Sequence, residues 1–166
     1  NNTAINETSG GVAVEDFDHD GYLDIIATGW GLHESIRYLH NDGNGLFSDL
    51  SVKAQLKGII GGLNVIQGDY NNDGWMDFMV LRGAWLTNLN LPNSLFRNNG
   101  DGTFSDVTIE AGLLSFHPTQ AGVFCDFNND GFVDIISELQ NELYLNNGDM
   151  TFTGQSLPFR PGAIGD

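Results

Sequence analysis

One cysteine, Cys125, is all that 166 residues contain, so no internal disulfide can form and a CxxC metal or redox site is excluded. Basic residues are nearly as scarce: 6 Lys and Arg stand against 22 acids, a formal net charge of −16. Without a basic patch or a Lys/Arg-rich helix to meet phosphate, nucleic acid and anionic membrane surfaces are excluded as partners. No apolar run is long enough to span a bilayer, and no phosphate loop or Ser or Cys nucleophile motif occurs. The four histidines, His19, His33, His40 and His117, are scattered, and they read as surface or turn residues rather than bases. Cys125 ends an apolar stretch and reads as a packed free thiol. Glu15 and Glu138 are lone carboxylates, so no catalytic residue is assigned and an enzyme is not expected. What remains is 40% apolar residues, 11 Phe and 22 Gly, enough for a core and for many tight turns.

A nonapeptide, D-x-[DN]-x-D-G-x-[aliphatic or Met]-D, is spelled three times. It runs from Asp16 to Asp24, from Asp69 to Asp77 and from Asp126 to Asp134, with starts 53 and 57 positions apart. Regular spacing of this kind marks a repeat architecture with one supersecondary unit per period. Side-chain oxygens fall at positions 1, 3, 5 and 9 around a glycine at position 6, and position 7 can add its backbone carbonyl. Hard cations such as Ca²⁺ take six to eight oxygen ligands, and the glycine permits the turn that gathers them. An EF-hand is excluded, because its twelfth-position Glu is replaced by Ala27, Val80 and Ser137. The flanks, Gly11-Val-Ala-Val14 and Leu23-Asp-Ile-Ile-Ala27 among them, read as strands. Each loop therefore joins two strands, with its ninth-position Asp pointing at the ion while its apolar neighbours pack.

A second repeated element follows each loop, at Tyr38–Phe47, Leu95–Phe104 and Leu143–Phe152. Its Asp-Gly or Asn-Gly core, followed by an aromatic, predicts a hairpin, and its Asn and Asp side chains are read as turn formers. Fourth strands follow at 47–51, 104–108 and 152–156. The fold class is thus all-β: three four-stranded antiparallel blades forming an arc of a β-propeller. Blade one is expected at about 9–60, blade two at about 61–117 and blade three at about 118–160, all within a single partial domain. Residues 161–166 resemble the first strand of a further blade, so the chain reads as a fragment of a longer protein.

These stretches resemble the FG-GAP/VCBS repeats of extracellular β-propellers, closest to the cartilage acidic protein and bacterial ASPIC/UnbV type. The resemblance covers nearly the whole chain and implies Ca²⁺ between the first and second strands of each blade, up to three ions in all. It carries the ligand role to Asp16, Asp18, Asp20, Tyr22 and Asp24; to Asp69, Asn71, Asp73, Trp75 and Asp77; and to Asp126, Asn128, Asp130, Phe132 and Asp134. Three ions would bring the charge from −16 to −10. The Phe-Gly and Gly-Ala-Pro elements of integrin-type repeats are absent, and so is an ASPIC/UnbV-like tail.

The expected function is a calcium-binding extracellular module for protein or glycan interaction, secreted or at the cell surface (periplasmic in a bacterium). Weak extracellular calcium loops bind at roughly 10⁻⁴–10⁻³ M, which suits millimolar Ca²⁺. Two alternatives stay open. Trp30 and Trp85 would serve a lectin by stacking on sugar rings, and a carbohydrate-active enzyme would place its site on the central propeller face. The open ends of an arc also predict self-association, with two copies meeting head-to-tail.

Overall fold

The computed structural model describes residues 9–29, 35–82, 91–116, 119–137 and 142–156. Within them the predicted three-blade pattern is present, and each blade is an antiparallel meander of four consecutive strands. Blade one comprises β1 (Ser9–Glu15), β2 (Asp24–Gly29), β3 (Arg37–Asn41) and β4 (Phe47–Asp49). Blade two comprises β5 (Asn64–Gly68), β6 (Asp77–Leu81), β7 (Ser94–Asn98) and β8 (Phe104–Asp106). Blade three comprises β9 (Gly122–Cys125), β10 (Asp134–Ser137), β11 (Glu142–Asn146) and β12 (Phe152–Ser156). Trp30, His33, Trp85, His117, Glu138 and residues 161–166 lie outside the described residues.

The blades stack face to face, and side-chain alternation decides which core each residue joins. β6 shows this best, since all five of its residues are buried. Phe78 and Val80 project into a core shared with blade one, around Phe17, Ile26 and Tyr38. Met79 and Leu81 project the other way, into a core shared with blade three, around Tyr70, Ile135 and Phe152. A strand covered on both faces needs an unbroken apolar run, and Phe-Met-Val-Leu supplies one. β2 and β10, in the outer blades, alternate buried with half-buried positions or nearly so.

The second residue of each nonapeptide locks a blade to the next. Phe17 is 2% exposed and stands edge-on to Phe78 and Phe104 of blade two. Tyr70 repeats the move against Phe152 of blade three. Burying a ring of this size stabilises by roughly 1.5–3 kcal/mol. The backbone is stapled as well. Asn98 Nδ2 donates to the Phe17 carbonyl at 2.8 Å, and Asn146 Nδ2 donates to the Tyr70 carbonyl at 2.7 Å. Phe104 N donates to Ala54 O at 3.1 Å and Phe152 N to Ala111 O at 3.0 Å.

The fourth strand is shorter than expected in two blades. β4 stops at Asp49 and β8 at Asp106, because each carboxylate accepts from the N–H and hydroxyl of the residue two on, Ser51 or Thr108, and so turns the chain. Gly154 occupies that place in blade three, and β12 runs on to Ser156 as expected.

Candidate metal centre

All three nonapeptides form the same loop between the first and second strands of a blade. Position 4 is left-handed in each, at His19 (φ 60), Asn72 (φ 56) and Asn129 (φ 59). The glycine at position 6 follows with φ near 90 in all three. Those turns let the first carboxylate cap the loop from inside. Asp16 Oδ1 accepts from Asp20 N at 3.1 Å and Oδ2 from Gly21 N at 3.0 Å. Asp69 does the same for Asp73 and Gly74, and Asp126 for Asp130 and Gly131. The fifth residue accepts from position 7, as Asp20 does from Tyr22 N at 2.9 Å. In each loop the side-chain oxygens of positions 1 and 3 thus meet at the N–H of position 5.

The ninth-position carboxylates are fully buried at Asp24, Asp77 and Asp134. Each closes the site against the hairpin. Asp77 accepts from Asn98 N at 2.7 Å and from Tyr70 N at 3.1 Å, and Asp134 accepts from Asn146 N at 2.8 Å and Phe127 N at 3.0 Å. Asp24 accepts from Asn41 N at 2.8 Å and from the Tyr38 hydroxyl at 2.7 Å. Each oxygen of Asp77 and Asp134 takes one of these bonds and retains a second lone pair for a cation, whereas Asp24 Oδ1 also faces His40 Nδ1 at 3.2 Å. Burial pushes the Asp77 carboxyl up to about 7, against the N–H groups of Asn98 and Tyr70, with the charges of Asp73 and Asp69 adding to the rise. Asp18 is also raised, by burial first and then by Asp24 and Asp20. Crowded carboxylates in this condition are relieved by a hard cation.

The position-7 aromatics tie loop to hairpin. The rings of Tyr22, Trp75 and Phe132 lie over Gly43, Gly100 and Gly148, where an added Cβ would come within 2.6, 2.8 and 3.1 Å of them. All three glycines also have φ of 72, so the hairpin core needs glycine twice over. The Asn and Asp of the hairpins are turn formers as expected: Asn98 Oδ1, for example, accepts from Gly100 N at 3.0 Å. Neighbouring loops touch as well. His19 stacks on Trp75 with ring centroids 4.1 Å apart, and Asn72 Nδ2 donates to Gly131 O at 2.9 Å.

One residue corrects the sequence reading. His40 is not a surface or turn residue but a half-buried member of β3, and it faces loop one. Its Nδ1 lies 3.2 Å from Asp24 and 3.3 Å from Asp18, and its Nε2 lies 3.9 Å from both Asp20 and Asp42. Asp18, Asp20 and His40 hold ligand-type atoms within 4.8 Å of one another. The signal was its register: His40 immediately precedes the hairpin Asn, where the other blades carry Arg97 and Leu145. Loop one thus has an imidazole that loops two and three lack. In those loops, the position-3 amides of Asn71 and Asn128 instead donate to Asp73 and Asp130 at 2.8 Å. Cys125 is half-buried and free, and burial pushes its thiol up, away from nucleophile behaviour.

Four-stranded meanders with an acidic loop between their first and second strands define a β-propeller class of repeat. A family described as FG-GAP-like repeat matches residues 16–80 and 84–137, and the chain belongs to it. Human cartilage acidic protein 1 is 37% identical over 89 residues, covering 53% of this chain and 13% of that protein. The Xenopus tropicalis protein of the same name is 34% identical over 92 residues, covering 55% of this chain and 13% of its own length. The Mus musculus protein is 50% identical over 50 residues, 30% of this chain and 8% of that one. The matched stretch is therefore a small part of each relative.

Proposed function

We propose that the chain is a calcium-binding β-propeller module that acts outside the cell, holding up to three Ca²⁺ and presenting its rim to a protein or glycan without catalysing a reaction. The observation that carries the calcium reading is the threefold recurrence of one oxygen-lined loop, with the same internal bonds and a fully buried ninth carboxylate. The donor set is carboxylate, amide and carbonyl oxygen, which suits a hard cation; His40 beside loop one is the exception. The residues fit the ion, and would hold it through Asp16, Asp18, Asp20, Tyr22 and Asp24 in blade one and their counterparts in blades two and three. Kinship with cartilage acidic protein 1, and the match of a weak calcium loop to millimolar Ca²⁺, support an extracellular setting. No helix among the described residues is long and apolar enough to cross a membrane.

The ion's role in this reading is to stiffen the rim. Each loop is tied to its own hairpin by the ninth carboxylate and the position-7 ring, and loops one and two are tied to the next loop by His19 and Asn72. Calcium at one loop therefore orders the surface on which a partner would dock. Native-state binding contributes RT ln(1 + [Ca]/Kd), about 2.7 kcal/mol per site at a hundredfold excess over Kd. Thermal melts with Ca²⁺ and with chelator measure this. Asp73→Ala and Asp130→Ala should each remove one site's share, roughly a third, of the calcium-dependent rise in Tm, with the chelated Tm equal or higher because repulsion is relieved. Melts indifferent both to chelator and to these substitutions would reduce the acids to solvated turns.

A further inference from the structure

Each hairpin carries one Asn-Gly pair, at Asn44-Gly45, Asn99-Gly100 and Asn147-Gly148, but the pairs do not share one place in the turn. Blade one has its pair two positions later, where the other blades have Asp101-Gly102 and Asp149-Met150. An asparagine followed by glycine can react with its own backbone: the glycine nitrogen attacks the side-chain amide carbon, and no Cβ stands in the way. The fold decides which pair does so, because the attack needs a nitrogen free to turn and an amide free to meet it.

Asn99 and Asn147 lack both freedoms. Gly100 N donates to Asn98 Oδ1 and Gly148 N to Asn146 Oδ1, each at 3.0 Å. The side-chain amides are clamped across the hairpin. Asn99 Nδ2 donates to the Thr103 hydroxyl at 2.9 Å and the Ser105 hydroxyl at 3.0 Å. Asn147 Nδ2 donates to the Thr151 hydroxyl at 2.9 Å, and its Oδ1 accepts from the Thr153 hydroxyl at 3.0 Å. Asn44 differs on both counts. Its Oδ1 accepts from Leu46 N at 3.0 Å, while its Nδ2 has no partner among the described residues. Gly45 N has no acceptor among them either, and nothing lies within 4 Å of the place a Cβ would take on Gly45. Both residues are exposed.

The Asp-Gly pairs, which can close the same ring, are held back in other ways. The N–H groups of Gly21, Gly43, Gly74 and Gly131 are committed to Asp16, Asn41, Asp69 and Asp126. Gly102 N has no acceptor among the described residues, but the Thr103 hydroxyl and N–H hold the Asp101 carboxyl below its usual range, and an ionised carboxylate resists a nucleophile. Blade one has Leu46 in place of that threonine and a neutral amide in place of that carboxylate.

We infer that Asn44 is a site of spontaneous modification, at which the folded chain deamidates to a mixture of aspartate and isoaspartate. Gly45 N bonds to Asn44 Cγ and gives up its proton as the Cγ–Nδ2 bond breaks and ammonia leaves. Water then opens the resulting succinimide at one of its two carbonyls. Opening at Cγ leaves an ordinary aspartate, the residue that the other hairpins already carry at Asp101 and Asp149. Opening at the backbone carbonyl leaves isoaspartate, which routes the chain through the side chain and lengthens the turn by one carbon. The change falls in the hairpin that closes loop one, where Asn41 N donates to Asp24 and the Tyr22 ring covers Gly43. It is independent of whether that loop holds an ion.

Timed incubation of the folded chain in mildly alkaline buffer, followed by peptide mass spectrometry, tests the assignment. The Asn44 peptide should gain the mass of an amide turned to an acid. It should do so roughly tenfold or more faster than the Asn99 and Asn147 peptides, whose hydrogen bonds must first be released. Fragmentation should place isoaspartate at position 44, and Asn44→Gln should abolish the early signal. In urea, where no hairpin holds its amide, the preference for Asn44 should largely vanish. Equal rates at the three asparagines of the folded chain, or a preference for Asn44 that persists unchanged in urea, would overturn the proposal.

Discussion

Asn98→Ala is the sharpest test of how the blades are held together. Asn98 is 2% exposed and reaches across 81 residues of sequence to the Phe17 carbonyl, 2.8 Å from its Nδ2. The same amide donates to Met76 O at a longer 3.3 Å, and its Oδ1 accepts from Gly100 N at 3.0 Å. Truncation leaves the Phe17 carbonyl without a partner between two blades, a desolvation cost of about 1–3 kcal/mol. The long bond to Met76 and the turn bond to Gly100 add less, so the total loss should be about 2–4 kcal/mol. Asn41→Ala is the internal control. Asn41 makes the same local bonds, to Leu23 O and from Gly43 N, but both are exposed to solvent and water can replace them. Its loss should be about 0.5–1 kcal/mol. Asn98→Asp keeps the acceptor for Gly100 but sets a buried carboxylate against the Phe17 and Met76 carbonyls, so it should cost more than alanine. Urea denaturation of the three variants beside the parent chain reads the ordering directly. If Asn41→Ala and Asn98→Ala cost the same, the bond between blades contributes nothing and the stapling argument fails.

Two further predictions follow from local geometry and charge. Met150 sits at φ 70, where the other two hairpins have glycine, and it is 50% exposed, so Met150→Gly should relieve strain with little lost burial and raise stability by up to about 1 kcal/mol. A lower urea midpoint would show that the Met150 side chain packs to better purpose than its exposure implies. The Ser51 hydroxyl and N–H hold the Asp49 carboxyl below its usual range, so the folded state binds this proton less readily than the unfolded chain. That contribution is complete above the unfolded pKa and is lost as pH falls through the folded one. Asp49→Asn, which keeps the acceptor but cannot titrate, should therefore show a shallower fall in urea midpoint between neutral pH and pH ~3 than the parent chain. Identical slopes would remove Asp49 from the acid response.

The features that could be read from the chain are those confined to one blade. The nonapeptide carries its own turn chemistry, with glycine at position 6 and a residue tolerant of positive φ at position 4, and the three loops form where the motif lies. Hairpins at Asn-Gly and Asp-Gly follow from the same backbone rule. The all-apolar run Phe78-Met79-Val80-Leu81, the signature of a strand buried on both faces, was there to be read as well but was not singled out. Contacts between blades were not legible, because nothing in the sequence says which faces meet. Phe17, Tyr70 and Phe127 look alike in the motif, yet two are buried plugs and the third is exposed. His40 was missed for a related reason. It is separated from loop one in sequence and comes beside it only when β3 pairs with β2, whose first residue is Asp24. The early ends of β4 and β8 were hidden in an ordinary Asp-x-Ser/Thr pattern, whose pull on the chain competes with strand pairing.

Isothermal titration of chelator-treated protein with Ca²⁺ meets the central claim most directly. Three equivalents should bind to the parent chain, two to Asp73→Ala and two to Asp130→Ala, with a histidine-free loop one (His40→Leu) still included in the count. Folded protein that takes up no calcium at millimolar concentration would contradict the account.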